Sequence, residues 1–199
     1  EPVEPAVANF VFAEVGDDSR PLFEQLLPQL ALSHETSADG KEVTIKLRPG
    51  VKFHDGRVLT SADAKYTLDL VFSSNFAKSA SFYEGSGAEK KSYIKSVEAP
   101  DAKTVVVTLT KPWTGLLSNL VPVAIIPKDS YESQKTHPLG TGPFKFVRYD
   151  NAQQVCDVEG FSEYWEGAPT LQKLRVRVIA DMNALQSELQ AGRGDIAPL

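Results

Sequence analysis

Alternation of apolar and polar residues predicts several strands in this chain. Residues 41–47 read KEVTIKL and follow Asp39-Gly40, a dipeptide typical of hairpin turns. Residues 105–109, 144–149 and 174–179 repeat the alternation or are rich in β-branched side chains, which favour strands. We therefore predict four strands, the first of which begins directly after a hairpin turn.

The clearest helix is predicted at 61–73. Thr60 is a good N-cap, and Asp63, three residues later, resembles the second half of a capping box. Helical spacing also gives the segment one apolar face, formed by Ala64, Leu68, Val71 and Phe72.

The rest of the pattern mixes hairpins with short helices. Residues 75–91 are small, polar and glycine-containing, and they are predicted to form a loop that exposes Phe82 and Tyr83. A last helix is predicted shortly before Gly192, which is placed as its C-cap. This order indicates an α+β protein, a mixed α/β arrangement built on a mixed sheet.

The stretch LRPGVKFHDG at 47–56 places two tight turns in ten residues, and a helix follows soon after. Pro49-Gly50 and Asp55-Gly56 are turn dipeptides on either side of a short apolar piece. The two turns redirect the chain so that the helix at 61–73 can lie back on the sheet.

Composition and charge exclude some classes of function. The 199 residues are 42% hydrophobic and 24% charged, the balance of an ordinary globular protein. The net charge is −5 and the basic residues are scattered, so nothing favours binding to nucleic acid or to an anionic membrane. No apolar run approaches the length of about 18 residues that a membrane span needs, and no signal peptide is visible at the start.

Candidate catalytic and metal-binding groups are sparse. Cys156 is the single cysteine, and it lies in a strand-like run without a neighbouring histidine. The three histidines are far apart and lack metal-ligand spacing; they are predicted to be surface or turn residues: His34, His54 and His137. We therefore expect no metal and no cofactor.

Glycine and carboxylate motifs add no clear catalytic site. GTGPF at 140–144 leads into a strand and lacks the spacing of a phosphate-binding loop, so a structural turn is predicted. Asp17-Asp18 and the pair Glu163 and Glu166 are acids that the sequence cannot place opposite each other. The pattern favours binding over catalysis, and no catalytic residue is assigned.

Four segments, in order, resemble conserved blocks of the family 5 extracellular solute-binding proteins. They begin with LPQLALSHETSADGKEVTIKL, in which His34 stands where the family usually has tryptophan. The next is LRPGVKFHDGRVLTSADAKYTLD, and PLGTGPFKFVRYD follows it. The last is YWEGAPTLQKLRVRVIADMNALQSELQAGRGDIA, so the resemblance extends over about residues 10–197.

The resemblance implies a type II periplasmic-binding-protein fold, of which this chain corresponds to the N-terminal lobe without the second lobe. Within that lobe, about 41–140 would form a peripheral subdomain. The flanking parts, about 1–40 and 141–199, would belong to the core subdomain.

The resemblance also implies a function. Members of this family capture peptides or similar small solutes in a cleft between two lobes and deliver them to the membrane permease of an ABC importer. They are periplasmic or extracellular, and a lipoprotein anchor is one form of attachment. We expect a monomer, or weak self-association through the exposed face of the lobe.

Ligand contacts are expected on the cleft side of the lobe, at Glu4, Phe82, Tyr83, Pro122 and Val123. An equal alternative is that Phe82 and Tyr83 merely pack on the lobe. Trp165 is expected to pack on the lobe and to anchor its turn. Two other classes stay open: a ligand-sensing or partner-binding module of a regulator, and an enzyme on a related scaffold.

Overall fold

A computed structural model describes residues 30–73, 77–85, 89–177, 179 and 181–192. Its first sheet has four antiparallel strands in the order β1-β2-β6-β5. Their bounds are Ala31–Thr36 for β1, Glu42–Leu47 for β2, Ile94–Asp101 for β5 and Thr104–Leu109 for β6. A small ribbon, β3 (Tyr83–Glu84) and β4 (Lys91–Ser92), lies between β2 and β5 in sequence.

The predicted hairpin joins β1 to β2. The amide of Gly40 donates to the carbonyl of Ser37 at 2.9 Å, and Gly40 has a φ of 68°. That left-handed conformation is accessible to glycine at little cost, which explains the Asp-Gly signal in the sequence.

Helix α1 (Ser61–Ser73) covers the first sheet and begins with the predicted cap. Asp63 Oδ2 accepts from the backbone N–H of Thr60 at 2.9 Å and from its hydroxyl at 2.7 Å. Asp63 Oδ1 also accepts from the amide of Lys128, which ties the helix start to a later loop. Ala64, Leu68 and Phe72 are buried, and Val71 is half-buried against the core, so the predicted apolar face is confirmed.

Two short helical segments and a second sheet complete the described structure. A 3₁₀ helix covers Ala77–Phe82, helix α2 covers Leu116–Leu120, and a 3₁₀ turn covers Ser133–Lys135. The second sheet is antiparallel, in the order β7-β8-β9, with bounds Phe144–Asp150, Val155–Gly160 and Lys173–Arg177. Helix α3 (Met182–Gln190) follows it and is capped by the side chain of Asp181.

One hydrophobic core joins the first sheet, α1, α2 and the segment after α2. Its buried members include Ile45, Phe53, Leu68, Val107 and Leu120. In the described structure, each of the four predicted strands and the helix at 61–73 is confirmed within two residues at its ends, with β9 traced to Arg177. The division into subdomains stays a prediction, although β1, placed before the proposed boundary at residue 40, pairs with β2.

Candidate functional site

The predicted exposure of the aromatic pair at 82–83 is wrong for Phe82. Its side chain is fully buried, at the end of the 3₁₀ helix. The ring meets Phe72 edge-on at a centroid distance of 4.7 Å and Trp113 at 6.1 Å. These contacts place Phe82 in the core, and ligand contact by this ring stays a prediction.

Tyr83 is half-buried and lies at the rim of the same core. Its hydroxyl donates to the backbone carbonyl of Phe72, and the ammonium of Lys90 stands 4.0 Å from the ring centroid. The aromatic cluster continues toward the surface through Trp113, which stacks on Tyr93 at 4.5 Å with an interplanar angle of 12°. This rim therefore offers half-buried aromatic rings and a cation next to one another.

The two contact residues proposed after α2 have different environments. Pro122 is exposed, whereas Val123 is 4% exposed and belongs to the core cluster that also contains Phe82. The structure thus brings Phe82 and Val123 into one core, with Pro122 on the surface beside it. Glu4 lies outside the described residues.

The stretch at 47–56 has two faces, and each contacts a different part of the lobe. Leu47, Val51 and Phe53 are buried in the first core. The side chains of Arg48, Lys52 and His54 instead contact the loop that follows β8. Alternate residues of one extended piece therefore join the two sheets.

These contacts run antiparallel along the two segments. Arg48 lies 4.5 Å over the ring of Trp165, and Lys52 pairs with Glu163. His54 meets Phe161 edge-on at 5.3 Å. We call this region, residues 48–54 against 140–142 and 161–165, the junction.

His54 is the centre of the junction. Its backbone N–H donates to the carbonyl of Gly140 at 3.0 Å, and its Nδ1 accepts from the Gly140 amide at 3.3 Å. Nε2 lies 3.0 Å from the carbonyl oxygen of Gly142. Burial lowers the pKa of the imidazole, and the nearby Lys145 acts in the same direction. The GTGPF turn is thus a structural partner of His54.

Trp165 packs as predicted. Its ring is half-buried against the core cluster and is flanked by Arg48 and Tyr164. The cation over its face and the apolar surface beneath it give the aromatic ring a structural role at this turn.

The second sheet carries a ladder of charges on one face. Asp157 accepts from the guanidinium groups of Arg148 and Arg175, each with a 2.8 Å contact, and Lys145 pairs with Glu159 at 2.9 Å. Hydrogen bonding from Arg175 holds the pKa of the Asp157 carboxyl below its ordinary value, and Arg148 adds to the effect. The ladder is solvent-exposed and internally paired.

Cys156, next to Asp157 on β8, is half-buried, and burial raises the pKa of its thiol. A raised pKa keeps the thiol protonated and poorly nucleophilic at neutral pH. Among the residues with assigned positions, no group of three or more His, Cys, Asp or Glu side chains could hold a metal ion.

The junction contacts were missed by pattern analysis. The sequence marked GTGPF and the turns around His54 as structural, but it gave no reason to pair them. Lys52 and Glu163 are 111 positions apart, and local periodicity carries no information about such a pairing. The available signal was the resemblance, because residues 48–54, residues 140–142 and Trp165 lie in the blocks that carry it.

Solved structures place the fold in a known class. The ligand-binding protein AgaA from A. tumefaciens R10, determined with agropinic acid, matches with a TM-score of 0.71 and 31% identity, covering 82% of this chain and 33% of that one. The oligopeptide-binding protein AppA of Bacillus subtilis, determined with a nonapeptide, matches with a TM-score of 0.68 and 29% identity, covering 82% and 33%. The described structure is therefore part of a periplasmic-binding-protein lobe, with mixed sheets and helices.

The sequence comparisons name the family. Residues 25–199 match the bacterial extracellular solute-binding proteins, family 5 middle region. The glutathione-binding protein GsiB of Pectobacterium atrosepticum is 35% identical over 181 residues, which are 87% of this chain and 34% of that protein. The chain belongs to family 5 of the extracellular solute-binding proteins, and it spans about a third of the length of the curated relatives it matches.

The family is one of solute-binding transport proteins and not of enzymes. In the part of the chain that the structure describes, none of the helices combines the length and the apolar character needed to cross a bilayer.

Proposed function

We propose that this chain is the N-terminal lobe of a substrate-binding component of an ABC importer. It contributes one wall of an interlobe cleft that captures a peptide or a similar small solute, and the loaded protein delivers that solute to a membrane permease. Such a protein works outside the cytoplasm, in the periplasm or at the cell surface. Its role is binding and not catalysis.

The observation that carries this proposal is the match over residues 25–199 to an extracellular solute-binding family. Its relatives are named for glutathione and for oligopeptides, and one solved relative holds a nonapeptide. These ligands share a peptide backbone, which offers N–H and C=O groups to a cleft. A peptide is therefore the ligand class that we assign first.

We further propose that the rim around Tyr83 and Pro122 contributes to the cleft, together with Glu4 and the neighbouring core residues Phe82 and Val123. The half-buried ring of Tyr83 and the exposed ring of Pro122 offer apolar contact area, while Phe82 and Val123 support them from below. Aromatic and apolar walls with few polar groups are typical of small-ligand sites.

A chimera tests the proposal. The segment corresponding to residues 25–199 is exchanged into the oligopeptide-binding protein AppA of Bacillus subtilis, and nonapeptide binding is measured by calorimetry. If this lobe is a peptide-binding wall, the chimera should bind with a dissociation constant of about 1 μM, which is about −8 kcal/mol. A chimera that unfolds cooperatively but binds no peptide would contradict the assignment of ligand class.

Point variants of the chimera test the contact surface. Pro122→Ala should weaken binding several-fold without lowering the melting temperature, whereas the matched variant Pro100→Ala, at another exposed proline, should leave affinity unchanged. Equal affinities for both variants would remove Pro122 from the contact surface.

The isolated chain should bind weakly. One lobe covers only about half of a small ligand, and the remaining contacts must still offset the cost of immobilising it. We expect a dissociation constant of about 1 mM for peptides, because a micromolar ligand at about −8 kcal/mol would fall to about −4. Calorimetry with peptides on these 199 residues tests this expectation. A dissociation constant below about 10 μM would show that the lobe binds ligand without a partner lobe.

A further inference from the structure

The hydrogen bonds of His54 define which of its ring nitrogens carries the proton. The Gly140 amide can only donate, so Nδ1, at 3.3 Å, must be the unprotonated acceptor. The Gly142 carbonyl can only accept, so Nε2, at 3.0 Å, must carry the hydrogen. The network therefore requires a neutral imidazole with its proton on Nε2.

The two bonds span a junction between separate sheets. His54 lies between Phe53, buried in the first core, and the Asp55-Gly56 turn. Its partners at 140 and 142 directly precede β7, the first strand of the second sheet. The edge of the Phe161 ring closes another side of the imidazole, at 5.3 Å and 72°. The His54 side chain thus connects the turn that precedes α1 to the start of the second sheet.

We propose that His54 is a pH-sensitive latch that holds the Gly140–Gly142 turn, and with it the start of β7, against the first sheet. In the neutral state both ring nitrogens are bonded to the turn. Protonation turns Nδ1 into a donor that faces the Gly140 amide, so that bond is lost and two N–H groups oppose each other. The latch is closed when the ring is neutral and loosened when it is charged.

Burial, hydrogen bonding and nearby charges together set the balance between the neutral and the charged ring. The turn at 140–143 has no titratable side chain. Burial disfavours the charged ring most strongly, and the hydrogen bond to the Gly142 carbonyl, the next largest influence, favours it. Lys145 on β7 disfavours the imidazolium and Asp55 favours it, and both effects are smaller. Both groups already form ion pairs, Lys145 with Glu159 and Asp55 with Arg57. A third ion pair at the junction joins Lys52 to Glu163.

The direction of the pH effect follows from the lowered pKa of the folded state. In the unfolded chain the imidazole takes up its proton near its ordinary pKa of 6.5, whereas the folded ring resists it. The contribution of His54 to stability is therefore complete above that ordinary value. It declines as pH falls below 6.5, until the folded ring is protonated as well.

NMR on the 199-residue chain tests the latch directly. Only three histidines contribute imidazole signals, so the nitrogen resonances of His54 can be assigned and titrated. At neutral pH we expect an unprotonated Nδ1 and a protonated Nε2. As His54 takes up its proton, the Gly140 amide should shift with the same midpoint, and its exchange protection, corrected for the intrinsic pH dependence, should fall roughly five- to tenfold.

His54→Gln removes the titration, and His34→Gln is the matched control because His34 is exposed on β1. The pH-dependent loss of Gly140 protection should vanish in the first variant and persist unchanged in the second. If His54→Gln fails to fold, the unmodified chain still tests the proposal, because the His54 titration and the Gly140 amide shift should share one midpoint. The proposal is wrong if the exchange protection of the Gly140 amide does not change when His54 is protonated, or if Nδ1 carries the proton at neutral pH.

Discussion

The two sheets of this lobe are stabilised in different ways. In the first sheet, β2 alternates cleanly, and Val43, Ile45 and Leu47 are each no more than 5% exposed. In the second sheet, β9 has no buried residue, and Val176 is 46% exposed. Similar strand-like alternation in sequence thus gives β2 a buried apolar face, whereas in β9 the apolar side chains stay partly open to solvent.

The difference shows where the folding free energy of the described structure is concentrated. Burial of apolar surface contributes about 25 cal/mol per Å². Among the described residues, nearly all of the buried apolar side chains belong to the core that the first sheet forms with α1, α2 and the neighbouring loops. The second sheet buries only a few apolar side chains, among them Val155 and Val158 on β8. Its exposed ion pairs contribute little, so it also depends on the junction. Its attachment to the first sheet is therefore the critical contact.

The largest effect is expected from opening a cavity under the first sheet. Leu68 on α1 is 1% exposed, so Leu68→Ala should lower the free energy of unfolding by about 2–5 kcal/mol. Val176→Ala on β9 should change it by no more than about 0.5 kcal/mol, because that side chain already meets solvent. Urea denaturation measures both, and equal losses would show that the two sheets share one kind of core.

A smaller effect is expected at the junction. Trp165 is half-buried and carries the Arg48 guanidinium over its face, so Trp165→Ala should cost about 1–3 kcal/mol. Trp165→Phe keeps a ring on the core and should recover part of the loss. The melting temperature reports both changes. If Trp165→Ala instead left melting unchanged and abolished ligand binding in the chimera, the ring would be a ligand contact and not an anchor.

Local patterns were sufficient to predict two strands of the first sheet, β2 and β6, and the helix that packs on it. The Asp39-Gly40 turn, the alternation in β2 and the Thr60–Asp63 cap each depend on residues a few positions apart. Local chemistry fixes such features, because hydrogen bonds close within one turn. In the second sheet, the bounds of β7 and β9 followed from the same kind of pattern to within two residues.

Burial and long-range contacts could not be predicted in this way. Phe82 lies among small and polar residues, so its segment resembles a loop, but the 3₁₀ helix turns the ring onto Phe72. The junction joins segments far apart in sequence: His54 and Gly140 are 86 positions apart, and Lys52 and Glu163 are 111 positions apart. Nor could alternation show that Val176 is exposed, because a strand's pattern does not say what covers its apolar face.

The smallest effect on stability is expected from removing a charge of the ladder on the second sheet. The dependence of this effect on salt and pH shows whether it is electrostatic. Asp157→Asn removes the charge that Arg175 and Arg148 share, and these arginine side chains are 68% and 59% exposed, so solvent already screens the pairs. Because the folded pKa of Asp157 is lowered, its contribution to stability is present above the ordinary pKa of 3.8 and is lost as pH falls further.

The melting temperatures of the unmodified chain and of Asp157→Asn should therefore differ most at neutral pH and low salt. They should converge below about pH 4, and also in 1 M salt, where the screening length is about 3 Å. Glu98→Gln, at an exposed acid of β5, is the matched control and should show no such convergence. A difference that persists in acid and in high salt would mean that Asp157 stabilises the second sheet through packing and not through its charge.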